Sequence, residues 1–102
     1  MFANNAASTS GSAIYLFNAA GSGGTAKILY TTVASPTVGG GQAIYIGKPA
    51  GSPVTVNVTD TIVASYTVGI EAAAGATVTS DYNLFYAAPT TVVTGSHSIT
   101  GT

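Results

Sequence analysis

Apolar and polar residues alternate in short runs along most of this chain, and Gly- and Pro-rich breaks separate the runs. Val54, Val56 and Val58 alternate with Thr55, Asn57 and Thr59, the period of a strand with one face buried. Further strands are predicted at Ser12 to Phe17, Lys27 to Val33 as a pair, Ala43 to Ile46, Thr61 to Val63, Val68 to Ile70, Ala76 to Thr79, Leu84 to Tyr86, Thr91 to Val93 and His97 to Ile99. Between them, Asn18 to Gly24, Ser35 to Gly41 and Gly47 to Pro53 read as loops, the last with two Pro that exclude a central strand. Ala72-Ala73-Ala74 favours helix, but it is too short to nucleate one and is read as a strand end and corner.

The runs repeat. Gly11-Ser-Ala-Ile-Tyr15 returns as Gly41-Gln-Ala-Ile-Tyr45 and as Thr67-Val-Gly-Ile-Glu71, which puts Ile14, Ile44 and Ile70 in one phase. Thr32-Val-Ala-Ser35 returns as Ile62-Val-Ala-Ser65 and then, after a shorter interval, as Leu84-Phe-Tyr-Ala87. A third series runs through Gly21 to Thr25, Gly51 to Thr55 and Gly75 to Thr79, so Thr55 to Thr79 reads as one period. Periods in this range with strand-like composition predict an all-β chain, a parallel β-helix (β-solenoid) of about four coils of about 22–30 residues forming one domain over 1–102. At about 4.8 Å per coil the column would be about 20 Å tall. Its expected interior is Ile14, Leu16, Ile28, Val33, Ile44, Ile46, Val56, Val58, Ile62, Val68, Ile70, Val78, Leu84 and Val92, because stiff β-branched side chains nest when like stacks on like.

Composition narrows the function. Apolar residues make up 46% of the chain and charged ones 5%, so disorder driven by charge is excluded and little acid–base chemistry is on offer. Two Lys and no Arg make no basic patch, so nucleic acid is not an expected partner. No run reaches the roughly 20 apolar residues of a membrane-spanning helix, and Met1 does not open a signal peptide. The absence of Cys excludes disulfides and thiolate metal sites and leaves the compartment open, extracellular or cell-surface if the chain belongs to a longer exported protein.

The run Val58-Thr-Asp-Thr-Ile-Val-Ala-Ser65, then Thr67-Val-Gly-Ile70, Gly75-Ala-Thr-Val-Thr79, Asp81-Tyr-Asn-Leu-Phe-Tyr86 and Gly95-Ser-His-Ser-Ile-Thr-Gly101, resembles right-handed parallel β-helix repeat proteins, the pectate-lyase-like solenoids of bacterial surface and secreted proteins. The resemblance covers about four fifths of the chain. It implies a wall strand and turn at Asp81 to Tyr86. It leaves activity open among polysaccharide lyases and hydrolases, adhesins and phage tailspikes.

Polysaccharide cleavage on such a fold needs clustered carboxylates, often with Ca²⁺, and a cationic base. The chain offers Asp60, Glu71 and Asp81. At the offset that relates Ile62 to Leu84, Asp81 aligns with Thr59 and Asp60 with Tyr82. Asp60 and Asp81 then share a corner where they could hold a cation or a water; the alternative is two solvated corner residues. Glu71 aligns with Val93 and is expected to face solvent. His97 is expected to be a plain edge residue, and Lys27 and Lys48 to keep the surface soluble or guard strand edges. Tyr15 and Tyr45 fall in one phase and should stack, either as a plain wall ladder or as a platform for sugar rings. Asn57-Val-Thr59 is an acceptor sequon placed in a strand, and Asn4, Asn5, Asn18 and Asn83 suit corners.

No polar cap is legible at either end of the repeat, so both ends are expected to be open and to join other copies edge to edge, as a filament or a dimer. The leading expectation is therefore a non-enzymatic, self-associating structural module without a cofactor. The alternative is a carbohydrate-binding or carbohydrate-cleaving fragment.

Overall fold

The computed structural model describes residues 1–3, 13–18, 23–47, 53–88 and 95–101. These hold eleven strands and no helix: β1 (Phe2–Ala3), β2 (Ile14–Phe17), β3 (Gly24–Leu29), β4 (Thr32–Ala34), β5 (Gln42–Gly47), β6 (Val54–Thr59), β7 (Ile62–Ala64), β8 (Val68–Ala72), β9 (Thr77–Asp81), β10 (Leu84–Tyr86) and β11 (Ile99–Gly101). Every pairing is parallel. The chain deals its strands in turn to three sheets, ordered β1-β4-β7-β10-β11, β2-β5-β8 and β3-β6-β9. Parallel neighbours need a long crossover, and in the middle of the chain the crossover is made by the two intervening strands.

The register follows the repeats. Ile14 lies beside Ile44 and Ile44 beside Ile70. Val33, Val63 and Phe85 form one row, continued by Phe2 on one side and Thr100 on the other, and the chain returns to this row at shorter intervals toward Thr100. In the third sheet Thr55 pairs with Thr25 and with Thr77, not Thr79. The offset is shorter than the Gly-x-x-x-Thr boxes suggest, because the strand, not the box, sets the phase.

Inward side chains of all three sheets meet in one apolar cluster, with Val33, Val63 and Phe85 from the first, Ile44, Ile46 and Ile70 from the second, and Ile28, Val56 and Val58 from the third. Ile62 and Leu84, expected inside, point out with Thr32 and Ile99 in the neighbouring row; they are 41% and 37% exposed while Val63 and Phe85 are at 0%. A one-residue phase shift carries a side chain to the opposite face of a strand, and the Val-Ala-Ser match already placed Val63, not Ile62, on Val33. Val92, with the strand expected at 91–93, lies outside the described residues, as do Lys48, Asn4 and Asn5.

Corners stack as well. Tyr30, Asp60 and Tyr82 follow β3, β6 and β9 and all have positive φ, at 50°, 53° and 55°. Ser65 and Ala87 repeat the device after β7 and β10. None is Gly, and each left-handed residue costs about 1 kcal/mol, which the aligned strands on either side must offset.

Burial falls off toward both edges of the stack. Ile14, Leu16 and Ala26 on β2 and β3 are only half-buried, whereas their partners Ile44, Ile46 and Val56 are fully buried. On the opposite side Ala72 and Val78 on β8 and β9 are likewise half-buried, while Ile70 and Ser80 are buried, as Ile28 is on β3. The turn before β11 packs on the end of β9: a β-carbon on Gly95 would overlap the carbonyl oxygen of Ser80, and Gly95 has φ of 78°.

Val63→Ala should lower unfolding stability by about 2 kcal/mol, and Ile62→Ala, though it deletes the larger side chain, by less than about 1 kcal/mol, measured as urea midpoints. The reverse order would place the wrong residue inside.

Candidate functional site

Each strand of the first sheet from β4 onward is preceded by a residue pair: Tyr30-Thr31, Asp60-Thr61, Tyr82-Asn83 and His97-Ser98. Asn83 is the polar hub of this corner and is almost completely buried. Its Oδ1 accepts from the Thr61 N–H at 2.9 Å, and its Nδ2 donates to the Val58 carbonyl and to Ser80 Oγ, each at 2.9 Å. Its own N–H donates to Ser98 Oγ at 3.1 Å. A buried amide so bonded fixes the chain path without an orphaned donor. This is the side-chain-bonded corner expected of Asn83.

Beside it, Asp81 Oδ1 accepts from the backbone N–H groups of His97 at 2.7 Å and Tyr82 at 3.0 Å, and Asp81 Oδ2 lies 2.7 Å from His97 Nδ1. The Tyr82 ring lies parallel on the imidazole, 4.6 Å between centroids and 3° between planes. The hydrogen bond from the His97 side chain, assisted by the two backbone N–H groups, holds the Asp81 carboxyl below its ordinary range against a smaller opposing effect of desolvation. Ser96 Oγ also reaches His97 Nδ1, at 3.2 Å. Ser, His and Asp are thus assembled, but both oxygens meet the same nitrogen, so the group is not a proton relay of the hydrolase type, in which they occupy opposite nitrogens.

These residues border an open cleft of about 370 Å³ lined by Asp60, Thr61, Ile62, Tyr82, Asn83, Leu84, His97 and Ile99. The cleft joins the outward apolar row to one exposed carboxylate, Asp60, which makes no hydrogen bond among the described residues. Asp60 and Asp81 were expected to share this corner. Asp60 lines the cleft, and both oxygens of Asp81 are engaged by Tyr82 and His97. Among the described residues no three His, Cys, Asp or Glu side chains group closely enough to hold a metal.

The second candidate is aromatic. Tyr15 and Tyr45, paired across β2 and β5, stack with centroids 5.4 Å apart at 18°. Phe17 extends the stack, 6.2 Å from Tyr15 at 22°. All three side chains converge on Gly47, where a β-carbon would sit 3.2 Å from each. Tyr15 and Phe17 are 52% and 59% exposed. Next in the row is Glu71, paired with Tyr45 and half-buried, its carboxylate accepting from Gln42 Nε2; Val93, with which it aligns by sequence, lies outside the described residues. Tyr66 belongs to the core instead: it is fully buried and its burial pushes the phenol up. Lys27 is exposed on β3. In the sequon, Thr59 Oγ1 donates to Asn57 Oδ1 at 2.6 Å, so the two polar groups bond each other on β6.

Sequence reasoning missed Phe17 and the His97 contacts. Phe17 was legible, on the same face of its strand as Tyr15 and opposite a glycine at the matching position, Gly47. For His97 the signal was the repeated pair ahead of each strand, hidden because the last return to the first sheet is the shortest.

No family model matches the chain, and no curated protein and no solved structure matches it either.

Because the Asp81 pKa is depressed in the folded protein, its contribution to stability is complete above the ordinary Asp value of about 3.9 and is lost as pH falls through the lower folded value. Unfolding midpoints between neutral pH and about pH 2 should therefore fall less steeply for Asp81→Asn than for the unaltered protein; equal acid limbs would remove the Asp81–His97 contact from the stability of the fold.

Proposed function

We propose that the three sheets wind as a single parallel β-solenoid and that the chain is a structural module that joins copies of itself through uncovered strand edges, as part of a surface or fibre-forming protein. The resemblance to right-handed parallel β-helix repeat proteins belongs to this proposal. The observation that carries it is the contrast along the inward rows: Ile14, Leu16 and Ala26 at the β2 and β3 edge, and Val78 at the β9 edge, are only half-buried, one strand away from residues with no exposure at all. Apolar interior that is open to water beside unpaired N–H and C=O groups is a template for strand addition. Few charges oppose it, since 5% of residues are charged and the net charge is −1.

A second reading has its own support in the three rings around Gly47. A flat, partly exposed aromatic face with an amide and a carboxylate at its end suits the C–H faces and hydroxyls of a sugar. Binding, rather than cleavage, is the form this reading takes, with Tyr15 and Tyr45 as the contact residues and Asp60 and Asp81 as a weaker cation corner.

Light scattering over a wide range of protein concentration, with and without added oligosaccharides, separates the two. The structural reading expects a mass that rises with concentration and ignores sugar. A constant mass with tyrosine fluorescence that responds to sugar would replace it with the second.

A further inference from the structure

We propose that the open cleft beside the Asn83 corner binds an unbranched primary alkylammonium, with the ammonium on Asp60 and the chain lying across the strands on Ile62, Leu84 and Ile99.

The cleft is a trough between two rows. Ile62, Leu84 and Ile99 pair side by side across β7, β10 and β11 and are exposed on the outward face. Two residues earlier stand Asp60, Tyr82 and His97. Thr59 pairs with Asp81, so Asp60 and Tyr82 follow in step, and the Tyr82 and His97 rings stack. Residues two apart in an extended run face the same side, so the two rows make the walls. The buried Thr61 and Asn83 between them make the floor. Strands about 4.8 Å apart give the apolar wall a length of about 10 Å.

The floor's polar groups are already engaged. Asn83 bonds Thr61, Val58 and Ser80, and Thr61 Oγ1 donates to the Thr59 carbonyl at 3.1 Å. His97 Nδ1 faces Asp81. An engaged floor and an aliphatic wall suit a hydrocarbon chain better than the hydroxyls of a sugar. Asp60 differs: its carboxylate is exposed at one end of the trough and makes no hydrogen bond among the described residues. Among those residues the one ion pair is His97–Asp81, so Lys27 on β3 does not neutralise Asp60. Asp81 lies beside Thr59, and its carboxylate adds to the negative potential at that end. A cation belongs there, away from His97 at the opposite end of the same row. A divalent ion asks for six or more oxygen ligands, and no three acidic or His side chains group closely enough among the described residues. A single ammonium asks for one carboxylate, and its chain can then run along the apolar wall. n-Hexylammonium, extended, is of that length; a lysine side chain, with its four-carbon stem, would leave Ile99 uncovered.

The test is an NMR titration at neutral pH that follows backbone amide shifts of the unaltered protein. The probes are n-hexylammonium chloride, 1-hexanol, propylammonium chloride, calcium chloride and Nα-acetyl-lysine methylamide. Hexylammonium should give saturable shifts centred on residues 60–62, 82–84 and 97–99. It should bind about threefold or more tighter than hexanol, since Asp60 is exposed and its attraction is screened, and about fivefold tighter than propylammonium. Asp60→Asn should weaken hexylammonium about threefold or more. Asn tolerates the left-handed backbone at this position, where φ is 53°, so the corner is kept. Ile62→Thr repeats the residue that Thr32 already places in this row, and it should weaken hexylammonium while leaving the fold intact. Hexanol bound as tightly as hexylammonium, indifference to Asp60→Asn, tighter binding of calcium or of the lysine amide at Asp60, shifts centred on Tyr15 and Tyr45, or no saturable shift would each overturn the proposal. None of these outcomes bears on self-association, which light scattering without amine reads separately.

Discussion

Parallel pairing in register is the constraint from which the rest of this molecule follows. It forces a residue to lie on its counterpart one strand away, so each inward position becomes a row: Ile14, Ile44 and Ile70, or Val33, Val63 and Phe85. Stiff β-branched side chains lose little freedom in such rows, and each fully buried one is worth about 1.5–3 kcal/mol of transfer free energy. The gain depends on having a neighbour above and below. Val56, with Ala26 on one side and Val78 on the other, is completely dry, while both flanking residues keep partial contact with water. Stability is thus concentrated in the middle strands, and the edges are where the structure can still gain.

The same constraint builds the polar corner. Rows of strands require rows of turns, and the left-handed residues Tyr30, Asp60 and Tyr82 recur at matching positions despite the strain each carries. From Tyr86, where β10 ends, to Ile99, where β11 begins, the return to the first sheet is the shortest among its described strands. It comes back early, and this shortcut sets His97 on Asp81 and Tyr82, and Ser98 on Asn83. The Asp81–His97–Tyr82 group is best understood as a clasp formed by that shortcut. Its chemistry fits holding a turn in place, since the imidazole that would have to bridge acid and nucleophile receives both at one nitrogen.

Much of this was written in the sequence because parallel stacking turns a repeat into a contact. The all-β class, the parallel register in two of the three series, the Tyr15–Tyr45 stack and the side-chain-bonded corner at Asn83 could all be read from spacing. The errors share one cause. Where the period shortened, small boxes such as Gly-x-x-x-Thr matched at an offset the strands do not use, which moved Thr79 into the place of Thr77. Where a strand was very short, as at Ile62–Ala64 and Leu84–Tyr86, alternation alone could not fix which residue faced inward. The contact of the turn before β11 with the end of β9 escaped notice because it is packed on backbone, through Gly95 and a hydrogen-bonded His97, and leaves no pattern of its own in the repeat.

The half-buried apolar rows at the strand edges are what give the functional proposal its footing. Amide hydrogen exchange resolved by residue at low and high protein concentration examines it most directly. The account expects the N–H groups of Thr25, Lys27 and Leu29 to exchange freely in dilute protein and to become protected as concentration rises, with those of Gly24, Ile28 and Tyr30 protected throughout. Edge amides of β3 that stay open at every concentration would contradict it.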